Sequence, residues 1–436
     1  MKTLALLLSG AVFLGAAQDF DGWIFSGDMR TGWVQYDYGN PPQGIDTSGS
    51  IVPKNPTVSQ GHIDSKGWYV VPKFSLQTPN YQKFYLKATV AAATDFGIND
   101  EKYENRTFVF DAKKRQSFAI LQEAQFVFDN KEHRLLVGRE EFLSPMFDAD
   151  DYYMQADSFQ LAYYKNHSFA NTTLMAGYFD KFAGVWDSGA DGTKFESMSR
   201  ASYIESADKA VIGDKGFAFA SFDYNNKKHH LQLWNYYGFD MYNIFYAQYD
   251  FLSSVGSLNY NFGFKWINFK EVGYLASDAA QTDIDYSLYE ARFEGTLEKK
   301  WEYASGVAKY SDGPGQGATL GAFGGYYYFA NGMVFHFFEA GSLRNAASYK
   351  GQIGYNFGKF NSEEIKLYYR YTYFDLDPSY SKTASGLEQN KMRLNGVRLV
   401  YGGDQAGWYF TGTYEHVKLD NEPNTYALRL IGGYKF

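Results

Sequence analysis

A strict alternation of apolar and polar side chains is the feature that most constrains the fold of this chain. In the segment 257–267, one face carries Leu258, Tyr260, Phe262, Phe264 and Trp266, and the other carries Asn259, Asn261 and Lys265. Segments 83–94, 286–297 and 364–374 repeat the pattern, with their charged residues confined to one face. A period of two residues is that of a β-strand whose faces meet different surroundings. Because a basic residue on a lipid-facing side costs about 2–4 kcal/mol at mid-membrane, the pattern indicates strands between lipid and water.

The chain ends on another such strand, in the segment 426–436. One face carries Tyr426, Leu428, Leu430, Gly432 and Tyr434, and the other carries Arg429 and Lys435. A strand that is apolar on one side and ends the chain on an aromatic residue, here Phe436, is typical of the closing strand of a bacterial outer-membrane barrel. The alternative is the edge strand of a soluble sandwich that happens to end in phenylalanine.

Residues 1–17 have the layout of a secretory signal peptide. Lys2 supplies the positive start, 4–8 and 11–14 form the apolar stretch, and 15–17 are small residues suited to cleavage. The apolar stretch is shorter than the roughly 20 residues of a membrane-spanning helix. We therefore expect residues 1–17 to be removed and the mature chain, 18–436, to form one barrel domain.

The composition favours a barrel over a helical membrane protein. The chain has no cysteine, so neither disulfides nor thiolate ligands are available. Aromatic residues make up 19% of the chain and the mean hydropathy is −0.42, which suits a barrel because only every second strand residue meets lipid. Removal of Lys2 with the signal peptide leaves 40 of the 41 basic residues against 49 acidic ones, a net charge of −9. This balance argues against nucleic acid as a partner.

Short turn sequences divide the chain into hairpins. Nine are present, at 78–80, 129–131, 166–168, 225–228, 253–256, 298–300, 330–332, 358–361 and 402–407. The connections between them are mostly longer and acidic or Gly-rich, as in 141–157 and 181–214. Short turns at one end and long loops at the other are expected of an outer-membrane barrel. Nine turns imply ten hairpins, and therefore about 20 strands with both termini at the short-turn end.

The stretch Val137-Gly-Arg-Glu-Glu-Phe-Leu-Ser-Pro-Met-Phe-Asp-Ala-Asp-Asp-Tyr-Tyr153 resembles the third-loop region of the OprD-type porin family. Its continuation resembles the family as well, through Asn171-Thr-Thr-Leu-Met-Ala-Gly-Tyr-Phe179 and Ala183-Gly-Val-Trp-Asp-Ser-Gly189. The ending Tyr434-Lys-Phe436 is similar to the related major outer-membrane porins. The resemblance implies an 18-stranded, trimeric channel for small polar solutes, with a third loop that folds into the lumen. Its strand number differs by one hairpin from the 20 that the turns imply.

Two groups of charged residues are candidates for the pore. The proposed constriction loop carries the acidic residues Glu140, Glu141, Asp148, Asp150 and Asp151. At a constriction these carboxylates would favour cations, whereas on an exterior loop they would be a solvated surface. Parity of the strands predicts a basic ladder on lumen faces at Arg30, Lys73, Lys87, Arg292, Lys366, Arg370 and Arg429. By family resemblance the ladder would guide carboxylate-bearing solutes, and the alternative is that it only pairs with acidic residues of the wall.

The sequence also has to be considered for metal-binding and catalytic residues. Asp148, Asp150 and Asp151 offer oxygens for calcium, which related porins can carry, but their spacing is not that of an EF-hand loop. We therefore predict no metal site there, and a solvated turn at His229-His230. No motif of an enzyme or of a cofactor site is present, so we predict neither catalysis nor a cofactor.

The sequence as a whole predicts an all-β protein, a transmembrane antiparallel β-barrel of 18–20 strands with an inward-folded third loop. Its expected function is that of an outer-membrane porin, a water-filled channel for ions and small polar solutes, with a preference for carboxylates as an added hypothesis. Expected partners are outer-membrane lipids, the solutes and two further copies in a homotrimer. The alternative is a structural or adhesive barrel that acts through its long external loops.

Overall fold

The computed structural model describes most of the chain. The described residues are 18–20, 22–40, 42–45, 51–53, 63–103, 116–149, 154–184, 193–202, 204–314, 323, 329–334, 343–382, 386–403 and 405–436. The predicted signal peptide, 1–17, lies outside these residues.

The described chain is mostly β-strand. In chain order the strands are β1 (Gln18–Phe20), β2 (Trp23–Asp37), β3 (Pro42–Ile45), β4 (Ile51–Pro53), β5 (Ser65–Gln77), β6 (Phe84–Ala93), β7 (Phe118–Asp129), β8 (His133–Glu140), β9 (Ser158–Phe169), β10 (Thr172–Ala183), β11 (Glu196–Ser197), β12 (Phe217–Asn225), β13 (His229–Gly238), β14 (Tyr242–Val255), β15 (Leu258–Glu271), β16 (Asp285–Leu297), β17 (Trp301–Tyr310), β18 (Ala347–Phe360), β19 (Glu363–Asp375), β20 (Lys391–Tyr401), β21 (Gly407–Leu419) and β22 (Thr425–Lys435). A 3₁₀-helix covers Glu101–Tyr103, and two short α-helices cover Met198–Ala201 and Ser206–Ile212. Among the described residues, no helix is long and apolar enough to cross a membrane.

Eighteen of the strands form a closed antiparallel barrel. The large sheet has 20 strands, of which β1 and β11 are short additions to β2 and β10, and β3 pairs with β4 in a separate hairpin. Each remaining strand pairs with its neighbours in sequence, and β2 closes the ring with β22 through the register Asp28↔Lys435 to Asp37↔Tyr426. The family's strand number, 18, is confirmed.

The count of 20 strands from turn sequences is wrong by one hairpin. Eight short connections join strands at one end, at 78–83, 130–132, 170–171, 226–228, 256–257, 298–300, 361–362 and 402–406. The sequence Ala330-Asn-Gly332 is not among them, because it lies in the long connection 311–346 between β17 and β18. The turn predicted at 166–168 lies within β9, whose hairpin turns at 170–171, where Asn171 has a φ of 57°.

Apolar side chains cover the outward positions, as predicted, and the charged side chains of β15 and β16 point inward, but many other inward positions are apolar. On β15 and β16 the outward residues Phe264, Trp266 and Tyr289 are 58%, 41% and 53% exposed, while the inward Lys265 and Glu290 are buried. The main buried core therefore lies in the lumen, where long connections pack against the inner wall. We call the connections 141–157, 184–216, 272–284 and 311–346 loops 3, 4, 6 and 7, by their order at the long-loop end.

Candidate pore constriction

Loop 3 folds into the lumen, as the sequence predicts, and aromatic side chains anchor it there. The ring centroid of Phe147 lies 4.9 Å from that of Phe179, 5.0 Å from Phe217 and 4.7 Å from Tyr236, all on inward positions of the wall. Phe142, at the start of the loop, packs 5.2 Å from Phe179. Both loop side chains are almost fully buried.

Loop 7 also enters the lumen, and sequence reasoning missed it. The ring centroid of its residue Phe323 lies 4.7 Å from that of Phe147, and the Phe323 carbonyl accepts a hydrogen bond of 2.8 Å from the backbone N–H of Asp148. The two loops therefore contact each other inside the barrel. The long interval between β17 and β18 was the available signal, but the turn-like Ala330-Asn-Gly332 concealed it.

Charged residues on three neighbouring strands hold the second half of the loop 7 segment 329–334. The carboxylate of Glu415 accepts hydrogen bonds from the backbone N–H groups of Met333 (2.6 Å) and Val334 (2.7 Å). Arg370 donates to the carbonyl of Gly332 at 2.7 Å, and Arg398 donates to that of Met333 at 2.8 Å. Arg370, proposed as part of the ladder, thus contacts loop backbone.

A second group of charges holds Phe329. Glu290 accepts a hydrogen bond of 2.6 Å from the backbone N–H of Phe329. It also forms an ion pair of 2.8 Å with Lys265, whose side chain is fully buried. Lys265 Nζ lies 3.8 Å, and the Arg292 guanidinium 4.4 Å, from the centroid of the Phe329 ring. Loop 7 is therefore held at both ends of 329–334 by ionic side chains of the wall.

The predicted acidic cluster divides into three parts. Glu140 pairs with Arg134 at 3.2 Å, and Glu141 pairs with Lys73 at 2.9 Å. Asp148 is half-buried beside Phe147. Asp150 and Asp151 lie outside the described residues, so their role and the question of calcium stay predictions.

The residues of the predicted basic ladder lie on inward positions, and most of them contact carboxylates. Arg30 pairs with Asp28 (3.1 Å), Lys87 with Glu123 (2.7 Å), Arg292 with Asp250 (2.7 Å) and Lys366 with Glu302 (3.0 Å). Arg429 lies opposite Thr413 in the register of β21 and β22. The predicted ladder leaves out other lumen cations, among them Lys350 and Arg398. Lys350 lies on the inward face of β18, and Arg398 proves to be inward because Val397 and Leu399 are exposed.

These cations form an arc on the wall from β16 to β22. Register pairs Arg292 with Gly306, Gly306 with Lys350 and Lys350 with Thr372. Arg370 and Arg398 follow on β19 and β20, and Arg429 on β22. Each lies within two residues of a common register that crosses the seven strands.

An open cavity of about 610 Å³ lies beside one end of this arc. Arg292, Lys350, Asp250, Glu294 and Phe329 line it together with the loop 3 residues 143–145. A smaller cavity, of about 180 Å³, is lined by Arg30, Lys73, Glu141 and other residues on a different part of the wall. The lumen thus offers polar space with both signs of charge.

The histidines at 229 and 230 make contacts with other side chains. His229 Nδ1 lies 2.7 Å from Tyr249 Oη, and His230 Nε2 lies 2.8 Å from Asp223 Oδ2. Within the described part of the chain, no three His, Cys, Asp or Glu side chains converge on a site for a metal ion.

The fold is that of known porins. No family model and no curated protein matches the sequence. Among solved structures, a BenF-like porin from Pseudomonas fluorescens Pf-5 is 14% identical with a TM-score of 0.72, covering 96% of this chain and 100% of that one. OccAB4 of Acinetobacter baumannii is 13% identical with a TM-score of 0.71, covering 97% and 99%. OpdK of Pseudomonas aeruginosa, solved with vanillate, is 14% identical with a TM-score of 0.69, covering 96% and 100%. The sequence resemblance to the OprD-type porins is therefore confirmed at the level of the fold: the chain has the closed β-barrel fold of these porins.

Proposed function

We propose that this protein is a channel of the bacterial outer membrane through which ions and small polar solutes diffuse. The observation that carries the proposal is an apolar outer wall around a lumen lined by ionic side chains. An 18-stranded barrel is wide enough for an aqueous passage. Loops 3 and 7 narrow that passage to polar space beside the basic arc. After removal of 1–17, the whole mature chain would serve this one function.

We further propose a preference for solutes that bear a carboxylate. The arc of cations from Arg292 to Arg429 supports it, because a run of like charges in a low-dielectric channel focuses a potential along one path. The cavity of about 610 Å³ next to Arg292 and Lys350 is large enough for a small ring compound. OpdK was solved with vanillate, an aromatic carboxylate. The opposing observation is that several cations of the lumen pair with carboxylates of the wall.

Conductance in a planar bilayer tests the channel. The purified protein should produce discrete, ohmic current steps at neutral pH. Reversal potentials in gradients of potassium chloride and of potassium benzoate would then compare carboxylate with chloride. A folded barrel that inserts without current steps would contradict the proposal and favour a structural or adhesive barrel. Chemical cross-linking in detergent would test the homotrimer separately.

A further inference from the structure

Two basic residues lie directly opposite each other on the lipid-facing side of the barrel, near the long-loop end. The register of β20 and β21 pairs Arg393 with Lys418. Both point outward, because Val397 and Tyr414, four residues away on the same faces, are 42% and 45% exposed. Like charges in directly opposed positions of an antiparallel sheet repel each other and destabilise it. The pair therefore needs a partner of negative charge.

The protein neutralises its other basic pair but not this one. Arg134 and Lys165 are also opposed in register, on the lumen side, and Arg134 forms ion pairs with Glu140 (3.2 Å) and Asp129 (3.4 Å). No hydrogen bond or ion pair to Arg393 or Lys418 occurs among the described residues. Two carboxylates lie nearby, Asp375 opposite Lys391 on β19 and Asp420 two residues after Lys418, but neither forms an ion pair with Arg393 or Lys418 in the described part of the chain.

The residues below the pair change from polar to apolar in steps along the two strands. Asn395 lies opposite His416, the next outward pair is Val397 and Tyr414, and the following outward residue is Leu399. Each step is two residues, or about 7 Å. The basic pair is thus about 13 Å from the first apolar pair, measured along the strands, which suits a headgroup at one end and acyl chains at the other. Tyr373, opposite Arg393 on β19, adds the type of side chain that is enriched at such interfaces.

We propose that Arg393 and Lys418 bind the phosphate group of a lipid in the outer leaflet. The guanidinium can hold two phosphate oxygens and the ammonium a third, with His416 and Tyr373 as neighbouring donors. The acyl chains would lie on Val397, Leu399 and Tyr414. This continuity with an apolar surface favours a lipid over a soluble anion. The inference rests on the proposed location in the outer membrane.

Lipid binding in an uncharged detergent tests the site. The probes are bis-phosphorylated lipid A, the same lipid without phosphates, and inorganic phosphate. Native mass spectrometry would measure binding to the wild type, to R393Q/K418Q and to K270Q. Lys270 is the control. It also points outward, on β15, but it lies opposite the carboxylate of Asp285. We expect the double variant to bind lipid A at least about tenfold more weakly, and the control to bind as the wild type does.

Thermal melting in the same detergent separates binding from folding. Without lipid, the double variant should melt no lower than the wild type, because its repulsive pair is gone. Equal binding of lipid A by the double variant and the wild type would overturn the proposal. Equal binding of dephosphorylated lipid, or equal stabilisation by inorganic phosphate alone, would overturn it as well. Loss of an oligomer in R393Q/K418Q without a change in lipid binding would assign the pair to a contact between copies instead.

The outcome is distinguishable from that of the channel proposal. A protein that binds lipid A through Arg393 and Lys418 but carries no current would refute the channel and retain the lipid site. A protein that conducts current but binds lipid A equally well with and without its phosphates would retain the channel proposal and refute the lipid site.

Discussion

The ring of Phe436 lies over the backbone of Gly27, where β2 begins to pair with the last strand. A Cβ atom at Gly27 would come within 2.6 Å of the Phe436 ring and 2.7 Å of the Lys73 carbonyl. Backbone hydrogen bonds of 2.9 and 3.0 Å join Gly27 and Phe436 in both directions. Phe25 and Phe74 complete the cluster, with centroids 5.7 and 6.3 Å from that of Phe436.

Replacement of Gly27 by alanine should therefore weaken the seam. We expect Gly27→Ala to lower the free energy of unfolding by about 1–3 kcal/mol, because the added methyl group displaces the ring or the strand. Urea unfolding in lipid vesicles, followed by tryptophan fluorescence, measures it. Gly351→Ala is the control, since a Cβ at Gly351 meets no atom within 4 Å. Equal effects of both substitutions would contradict the packing argument.

Lys350 is a better test of the basic arc than Arg370. Arg370 contacts Gly332, so its removal also disturbs loop 7. Lys350 lines the larger cavity and forms no ion pair with any residue that the structure describes. We expect Lys350→Gln to slow benzoate flux into vesicles about fivefold relative to a neutral sugar, the factor for about 1 kcal/mol of charge interaction. Lys299→Gln, in the turn 298–300, is the control with the same change of charge, and equal slowing of both solutes would assign Lys350 a steric role.

At the scale of elements, alternation predicts the wall well but the loops poorly. The inward positions of Lys87, Arg292 and Lys366 follow from period two alone, since the pleat fixes side-chain direction. The partners of loop 7 do not follow, because the contact of Glu415 with Met333 joins residues that are 82 apart. A turn sequence such as Ala330-Asn-Gly332 reports a local bend, and a bend inside a loop looks the same as one between strands. The extra hairpin of the turn count has this origin.

Release of loop 7 should change the current. In Glu415→Gln only one side-chain oxygen remains, so one of the backbone N–H groups of Met333 and Val334 loses its acceptor. A buried N–H group without an acceptor destabilises the structure by about 1–3 kcal/mol. We therefore expect larger and noisier single-channel currents. Glu302→Gln is the control, because the polar contacts of Glu302 within the described part of the chain are with the wall residues Lys366 (3.0 Å) and Tyr368 (2.8 Å). Quiet currents of normal size in Glu415→Gln would show that this contact does not limit the passage.

A buried carboxylate, that of Asp208, joins loops 4 and 6. Asp208 accepts hydrogen bonds from the backbone N–H groups of Thr282 (2.7 Å) and Gln281 (3.1 Å). Burial acts to raise the pKa of Asp208, but hydrogen bonds from Thr282 and Gln281 outweigh it, so the pKa lies below its ordinary value. A lowered pKa means that the contact stabilises the loops above the ordinary carboxyl pKa and is lost as the pH falls through the lowered one.

Hydrogen exchange of the Gln281 and Thr282 amides tests this contact. We expect protection factors at neutral pH to fall in Asp208→Asn, because the amide is a weaker acceptor than the carboxylate. In the wild type, protection corrected for intrinsic exchange should fall only in acid. Asp278→Asn, on the same external loop, provides the control. Unchanged protection in Asp208→Asn would mean that backbone packing alone holds loop 6.

At the scale of the whole molecule, loops 3 and 7 share the interior of a wide barrel. The wall supplies both the inward aromatic residues that bury Phe147 and the ion pairs that hold Phe329. Apolar contacts bury Phe142 and Phe147 of loop 3, and the ion pair of Glu141 with Lys73 adds to them. Charged side chains of the wall hold residues 329–334 of loop 7.

The pairing of β2 with β22 also determines when the barrel can close during synthesis of the chain. Tyr426 donates a hydrogen bond to Asp37, 389 residues earlier, so the first wall strand gains its second neighbour only when the last strand exists. A chain that stops before 425 keeps two open edges, whose unpaired backbone groups find no water inside a bilayer. We therefore expect such a chain not to form a stable barrel in the membrane. Strand β22 thus acts as a check on synthesis, because the ring can close only after residues 425–435 have been made.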